Sequence, residues 1–508
     1  MLAQIAIDPL ARGQIIIAGA TDGNGALADF SNKAGVASAT YLTALGTRVR
    51  SMDQTGTAYL YSGTSFATPV IAGAAALLAQ AFPNLSGAQI VALLLRTATD
   101  LGAAGVDPVF GHGELNLSRA FAPQGSTTLA NTSVGVSLTG NATLGAAMGD
   151  AAGSASASIR DGYGRDYAVD LSGTIARTTP SYALGQALQI GSRSMGARVG
   201  RASLALAIAD GVAVPQRLLL DRADAGRARL LAGAVALGLG KTTRLGIGIG
   251  RGSDGLMPTS IDAATPAFLI GDRSLDRAPL AAFALRQSMG GIGLTVAAEN
   301  GELRLWQAGA TGPHSNGWQR YGYSQTALGL DARHGRFALA TRLTRLHEKA
   351  TILGGRFDAA LGGGGATSWF ADAEAMVDFG SGWRLIGALR HGLTDADSGA
   401  LRTASRLSSR ALSASVIKTG IFGRDSLALR YAEPLRVTGG ALMLTLPGTA
   451  IQALSLTPQG HERDLEAAYM RPLGGGFVTL NAYRRVQPGH WVNAPTETGA
   501  ALRWSSEF

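Results

Sequence analysis

From about residue 226 to the C-terminus, apolar and polar residues alternate with a period of two, which predicts strands that present one apolar and one polar face. Trp369, Ala371, Ala373, Ala375, Val377 and Phe379 share one face, while Asp372, Glu374 and Asp378 share the other. After a tight Gly380-Ser381 turn, Trp383, Leu385, Gly387 and Leu389 continue the apolar face opposite Arg384 and Arg390. Leu427, Leu429 and Tyr431 predict a strand paired with another that follows a Thr438-Gly439-Gly440 turn. His334-Gly335 and Gly474-Gly475-Gly476 mark further hairpins. The first 123 residues read differently. Gln14 to Ala20 predicts a buried strand and Val70 to Leu78 a buried helix, and Ser86 and Gln89 have the spacing of a capping box that opens a second helix. Between these halves, residues 124–158 are rich in Ser, Thr, Gly and Ala and read as a linker or stalk.

A strand that is polar on one face has two explanations. In a soluble sandwich the apolar face packs inward; in a membrane barrel it meets lipid, aromatics collect at its ends and charge lines the lumen. Trp369 and Phe379 stand at opposite ends of one apolar face, and the polar face carries charge of both signs, which a packed core tolerates only with pairing. The last strand places Ala500, Leu502, Trp504, Ser506 and Phe508 on one side and Arg503, Ser505 and Glu507 on the other. The expected fold is therefore mostly β: a C-terminal antiparallel transmembrane β-barrel over 226–508, preceded by a linker with short strands over 124–225 and an incomplete α/β segment over 1–123. Counting back from Phe508 gives about twelve strands and reaches residue 277, with a further hairpin at 226–252.

Composition narrows the chemistry. Of 508 residues, 46% are apolar and 16% charged, and the net charge of +9 is uneven: residues 1–123 hold six basic and seven acidic side chains, so the positive excess lies beyond them. There is no cysteine, which excludes disulfides and thiolate metal sites. The first twenty residues lack a basic leader and contain Asp8 and Pro9, so they do not form a secretory signal, and Met1 is expected to be an internal or gene-fragment start. The longest apolar runs, about ten residues each, are shorter than the ~20 that a membrane helix needs. Gly240-Lys241-Thr242 is no phosphate loop, because the first glycine of that motif would fall at Val235. Gly246-Ile247-Gly248-Ile249-Gly250-Arg251 ends on arginine where a dinucleotide fingerprint needs glycine, and reads as a strand with one face stripped bare. The aspartates at 161, 166 and 170 match no calcium-loop spacing, so no cofactor or metal is expected.

One stretch carries reactive chemistry. Gly63-Thr64-Ser65-Phe66-Ala67-Thr68-Pro69 places Ser65 at the start of the predicted helix, where unpaired N–H groups favour developing negative charge. From the residues alone, a serine N-cap on a buried helix is the favoured account. The whole string resembles the nucleophile segment of the subtilisin family, and the likeness runs over residues 4–123. Ala28-Asp29-Phe30-Ser31-Asn32, Phe82-Pro83-Asn84 and Phe110-Gly111-His112-Gly113-Glu114 are similar to further family segments, while Ala44-Leu45-Gly46 departs from the usual Ala-Pro-Gly. The resemblance implies that Ser65 is the nucleophile of a serine peptidase whose Asp, His and oxyanion Asn precede it. No histidine precedes Ser65; His112 follows it in a Gly-His-Gly turn and reads as structural, and Asn24 and Asn32 fall after the family's oxyanion position. The chain thus carries a nucleophile without its base and is expected to be inactive alone.

A subtilisin-like front joined to a terminal strand closed by Phe508 resembles the serine-protease autotransporters. That implies a bacterial outer-membrane barrel in contact with lipid, barrel-assembly machinery that recognises the Phe508 strand, an extracellular N-terminal part and a protein substrate once the catalytic domain is complete. The alternative is a non-enzymatic outer-membrane barrel with a degenerate protease remnant. Nothing points to nucleic acid.

Overall fold

The computed structural model describes residues 4–178, 183–184, 192–209, 229–257, 259, 261, 268–271, 275–306, 318–473 and 476–506. The chain divides into two units, Met1–Val136 with Ser158–Val169, and Ser137–Ala157 with Asp170–Phe508.

The first unit is α/β. Strands β1 (Ile17–Thr21) and β2 (Tyr41–Leu45) pair in parallel, Ile17 opposite Tyr41, and a hairpin of β3 (Val49–Met52) and β4 (Ala58–Tyr61) leads to the helices. After the short α1 (Gln4–Ile7), these are α2 (Thr64–Ala81), α3 (Gly87–Thr97) and α4 (Leu117–Phe121). Ala67, Ile71, Ala74 and Leu78 recur every three or four residues, so one stripe of α2 packs on Ala20, Leu42 and Ala44 of the sheet and on Leu93 and Leu94 of α3. Helix α2 has 18 residues and mean hydropathy 1.3, long and apolar enough to cross a membrane by length and composition alone, and the buried helix expected over Val70–Leu78 is buried only along that one stripe. Its opposite face leaves Val70 and Leu77 exposed. Helix α3 opens on the expected capping box: the Ser86 side chain accepts from the Gln89 N–H at 3.3 Å, and Gln89 Oε1 accepts from the Ser86 N–H at 2.8 Å. The Gly111-His112-Gly113 turn lies along the free edge of β2, where Thr43 N–H donates to Gly113 O and Leu115 N–H to Thr43 O, both at 2.8 Å. Gly113, at φ +100°, admits no side chain, because a Cβ there would overlap the Thr99 carbonyl.

Residues 158–169 return to this unit as a clamp. Arg165, with its side chain almost wholly buried, pairs with Asp161 at 2.7 Å and donates to the carbonyls of Ala120 at 2.6 Å and Ala122 at 2.9 Å, closing the C-terminal end of α4. Its guanidinium lies 4.8 Å from the centre of the Phe82 ring and 5.4 Å from that of Tyr167. Asp161 also accepts the N–H groups of Gln124, Tyr163 and Arg165. Burial pushes its carboxyl up, but these donors outweigh burial and hold it below the usual aspartate range.

The second unit is built on one antiparallel sheet of sixteen strands among the described residues. They are β5 (Ser192–Val199), β6 (Ala202–Ala209), β7 (Arg229–Gly238), β8 (Thr243–Ile249), β9 (Arg277–Met289), β10 (Ile292–Trp306), β11 (Trp318–His334), β12 (Phe337–Glu348), β13 (Ala366–Gly380), β14 (Trp383–Ala396), β15 (Ser405–Thr419), β16 (Ser426–Leu444), β17 (Gln452–Ser455), β18 (Arg463–Leu473), β19 (Gly476–Val486) and β20 (Glu497–Ser506). Each pairs with the next in sequence, except that β17 pairs only with β16, which passes on to β18. The expected hairpins at 334–335, 380–381 and 474–476 join neighbouring strands, although residues 474–475 lie outside the described residues. The turn expected at Thr438-Gly439-Gly440 does not form. Gly440, at φ +98°, lies inside β16, which shifts register there instead of reversing, so Leu442 and Leu444 belong to the same strand as Leu427.

The assignment of faces along β13 holds. Trp369, Ala371, Ala373 and Ala375 are exposed, while Asp372 is turned the other way and meets Arg390 of β14 at 2.6 Å. The expected transmembrane barrel is not observed, because among the described residues no pairing joins β5 to β20 and the sheet is open. Alternation decides which face is polar, but closure depends on strand tilt and stagger, which alternation does not encode. The outer-membrane location, lipid contact, an extracellular front part and barrel-assembly machinery acting on the terminal strand all rest on closure and fall with it, as does the autotransporter reading of the whole chain. Phe508 itself lies outside the described residues.

Part of the stretch expected to be a linker is built into this unit. The strand Ala142–Leu144 pairs with Arg356–Phe357 and Ile175–Arg177, and Asp150 accepts N–H groups from Gln459 at 2.7 Å, Gly460 at 3.0 Å and Val492 at 2.7 Å. Beside them His490 is buried, with Nδ1 accepting the Glu462 N–H at 3.0 Å and Nε2 donating to the Leu435 carbonyl at 3.1 Å. That tautomer is neutral, and burial lowers the imidazole pKa from its ordinary 6.5. Below that value the unfolded chain binds the proton more readily, so this contribution to stability is present above pH 6.5 and is lost as pH falls through it. Unfolding stability measured at pH 7.5 and pH 5.5 is expected to drop for the wild type and to change less in His490→Gln, which has no such proton to take up.

Candidate active site

Ser65 is the second residue of α2 and is exposed. The turn that carries it is tied to the sheet by two backbone bonds in series: Gly46 N–H donates to Thr21 O at 3.0 Å, and Gly63 N–H donates to Gly46 O at 2.8 Å. Gly46 is needed there, since a Cβ would come within 2.5 Å of the Ala20 Cβ. Phe66 N–H closes back on Gly63 O at 3.0 Å, and the Phe66 ring stacks on Tyr61 of β4, with centroids 5.3 Å apart and planes at 16°. Pro69 has no N–H to give the Ser65 carbonyl, while the Thr68 hydroxyl donates to Thr64 O at 3.0 Å. Thr64 and Ser65 thus stand in the first turn of an 18-residue helix whose leading N–H groups point toward whatever approaches the serine. Such a position favours an alkoxide or an oxyanion.

The other residues singled out in the sequence do not converge on it. His112 places Nε2 3.2 Å from the Ala39 carbonyl and donates its backbone N–H to Tyr41 O, which is a turn-fixing role. Asn24 lies in a turn closed by its own N–H to Asp22 Oδ1 at 2.9 Å. Asn32 offers its backbone carbonyl to the Tyr41 hydroxyl, and that hydroxyl, raised by burial and partly offset by Ser31, packs against Gly19. No hydrogen bond to Ser65 Oγ is present among the described residues. His314 lies outside them, and His334, His347, His391, His461 and His490 belong to the second unit. Sequence reading missed Gly46 as the residue that positions the nucleophile turn. Its only local signal was the Ala-Leu-Gly tripeptide, and its partners are Thr21 and Gly63, 25 and 17 residues away.

Residues 3–113, which hold this turn, the parallel strand pair and α2, match the model of the Subtilase family. Among individual relatives, an extracellular serine protease of Serratia marcescens is 54% identical over 59 residues, covering 12% of this chain and 6% of that protein. Subtilisin DY of Bacillus licheniformis is 36% identical over 112 residues, covering 22% of this chain and 39% of the enzyme. Among solved structures, the patellamide maturation protease PatA is 33% identical over 22% of this chain and 44% of that chain, with a TM-score of 0.20. The chain spans less than half the length of each of these three relatives, and the matched family segment lies within its first unit.

Proposed function

We propose that residues 3–113 form the nucleophile-bearing part of a subtilase-type peptidase site, with Ser65 as the attacking group, and that this chain by itself does not turn over peptides. The observation that carries the reading is the exposed Ser65 in the first turn of α2, fixed to the sheet through Gly46 and Gly63. In such a site the hydroxyl needs an imidazole to take its proton, a carboxylate to orient that imidazole and a donor for the oxyanion. This chain supplies the serine and the helix N-terminus. A serine-directed fluorophosphonate tests the proposal: the purified chain is expected to label slowly and to leave casein intact. Rapid labelling that disappears in Ser65→Ala, together with casein cleavage, would show that the chain holds its own base and would overturn the inactive reading.

A further inference from the structure

After β8, residues 253–257 fold back onto the polar face of the sheet. The turn Ser253–Gly255 is followed by Leu256 and Met257, which pack on Ala282, Ala284, Ala297 and Ala327. The room for them comes from the bare face of β8: a Cβ at Gly246 would stand 2.7 Å from the Met257 Cε, and one at Gly248 3.0 Å from the Leu256 Cδ2. Buried Glu299 of β10 holds the turn by accepting the Ser253 N–H at 2.6 Å.

Held in this way, Asp254 extends its carboxylate among three arginines from three strands. Its Oδ1 pairs with Nη1 of Arg342 on β12, and its Oδ2 lies 3.5 Å from Nη2 of Arg277 on β9. Arg390 of β14 adds its charge from the third side. Burial pushes the Asp254 carboxyl up, but Arg342, Arg277 and Arg390 together outweigh burial and hold it below the usual aspartate range. Asp254, Arg277, Arg342 and Arg390 line both a hollow of about 470 Å³ and a neighbouring space of about 20 Å³, large enough only for water. The site is reachable, since the Asp254 side chain is 46% exposed. From the sheet, Glu299 lies 3.4 Å from Arg277 and Asp372 2.6 Å from Arg390, and the larger hollow is also lined by Asp331, Glu374, Glu433 and Asp464; of these carboxylates only Asp254 comes from a connection and not from a strand, and it is the one that also lines the smaller space.

We propose that Arg277, Arg342 and Arg390 form a binding site for a small oxyanion, and that Asp254 occupies it from within the chain. Guanidinium forks match carboxylate and phosphate oxygens alike, so a free oxyanion and the tethered aspartate compete for the same donors. Removing the Asp254 charge withdraws from Arg342 and Arg277 the carboxylate that they share, at the edge of a hollow within the size range of small-molecule sites. If Asp254 is only a pin for its turn, the cluster will show no anion preference once that pin is neutralised.

The test uses the full chain. Phosphate binding is measured by titration calorimetry at constant ionic strength for the wild type, Asp254→Asn, and Asp254→Asn with Arg342→Gln. Asp254→Asn is expected to bind inorganic phosphate at least about tenfold more tightly than the wild type, and the added Arg342→Gln to remove that gain. Acetate in a parallel titration distinguishes the two sources of the oxyanion: tighter acetate than phosphate assigns the site to carboxylates, and the reverse to phosphates. Because the chain has no cysteine, Ser253→Cys introduces a single buried thiol that reports on the turn even if the Asp254 variant fails to fold. Phosphate is expected to speed its labelling several-fold, and chloride at equal ionic strength to leave it unchanged. Equal phosphate affinity with and without Asp254, or equal acceleration by chloride and phosphate, overturns the proposal.

Discussion

A chimera in which this chain's matching segment replaces its counterpart in subtilisin DY is expected to cleave casein, and Ser65→Ala in that chimera to lower kcat by about 10⁴- to 10⁶-fold. The segment matches the enzyme over 112 residues at 36% identity, so the inserted strands and helices face similar packing partners. The size of the effect follows from the chemistry: without the hydroxyl no acyl-enzyme forms, and only the binding site and the oxyanion donors remain to assist water. The measurement that decides is kcat of the folded chimera and of its Ser65→Ala variant on one peptide substrate. A folded chimera whose activity survives Ser65→Ala would remove Ser65 from the role of nucleophile. A chimera that takes up fluorophosphonate at another serine would do the same.

The second large effect concerns Arg165. Arg165→Ala is expected to destabilise the first unit by about 3–5 kcal/mol, because it leaves the buried Asp161 carboxylate without its counter-ion. It also takes donors from the Ala120 and Ala122 carbonyls and a cation from the Phe82 ring. Neutralising both partners, Arg165→Met with Asp161→Asn, is expected to recover part of the loss, since the amide oxygen of asparagine still accepts backbone N–H groups. Hydrogen exchange of the α4 amides, compared among wild type, single and double variants, reads the effect directly. Unchanged protection in Arg165→Ala would mean that the pair merely fills space.

Local features of the sequence were a good guide wherever the cause was local. The capping box at Ser86 and Gln89 and the two faces of β13 each depend on residues within one element, and each is found as read; the run from Val70 to Leu78 is helical as read, but only Ile71, Ala74 and Leu78 of it are buried. Glycine misled at Thr438-Gly440, where a positive φ serves a register shift inside β16 and not a reversal. Openness of the sheet was invisible because it depends on how β5 and β20 stand across the whole strand set. The bare face of β8 was noticed, but its occupants, Leu256 and Met257, follow only after the strand has ended. At the candidate site the nucleophile was legible from its heptapeptide, whereas Gly46 gains meaning only through distant Thr21 and Gly63.

The order in which the chain visits its two units limits how they can be taken apart. It passes from the first to the second after Val136, returns at Ser158 and leaves again after Val169. A fragment ending at residue 136 would lack Arg165 and Asp161 and would leave the α4 carbonyls without their donors. A nick between 136 and 137 in the intact protein, by contrast, would sever the peptide link and still leave the clamp seated, so the two pieces would part only when the first unit unfolds. The interleaving therefore makes residue 169, and not the end of the family likeness near residue 113, the natural limit of a fragment that carries the whole first unit.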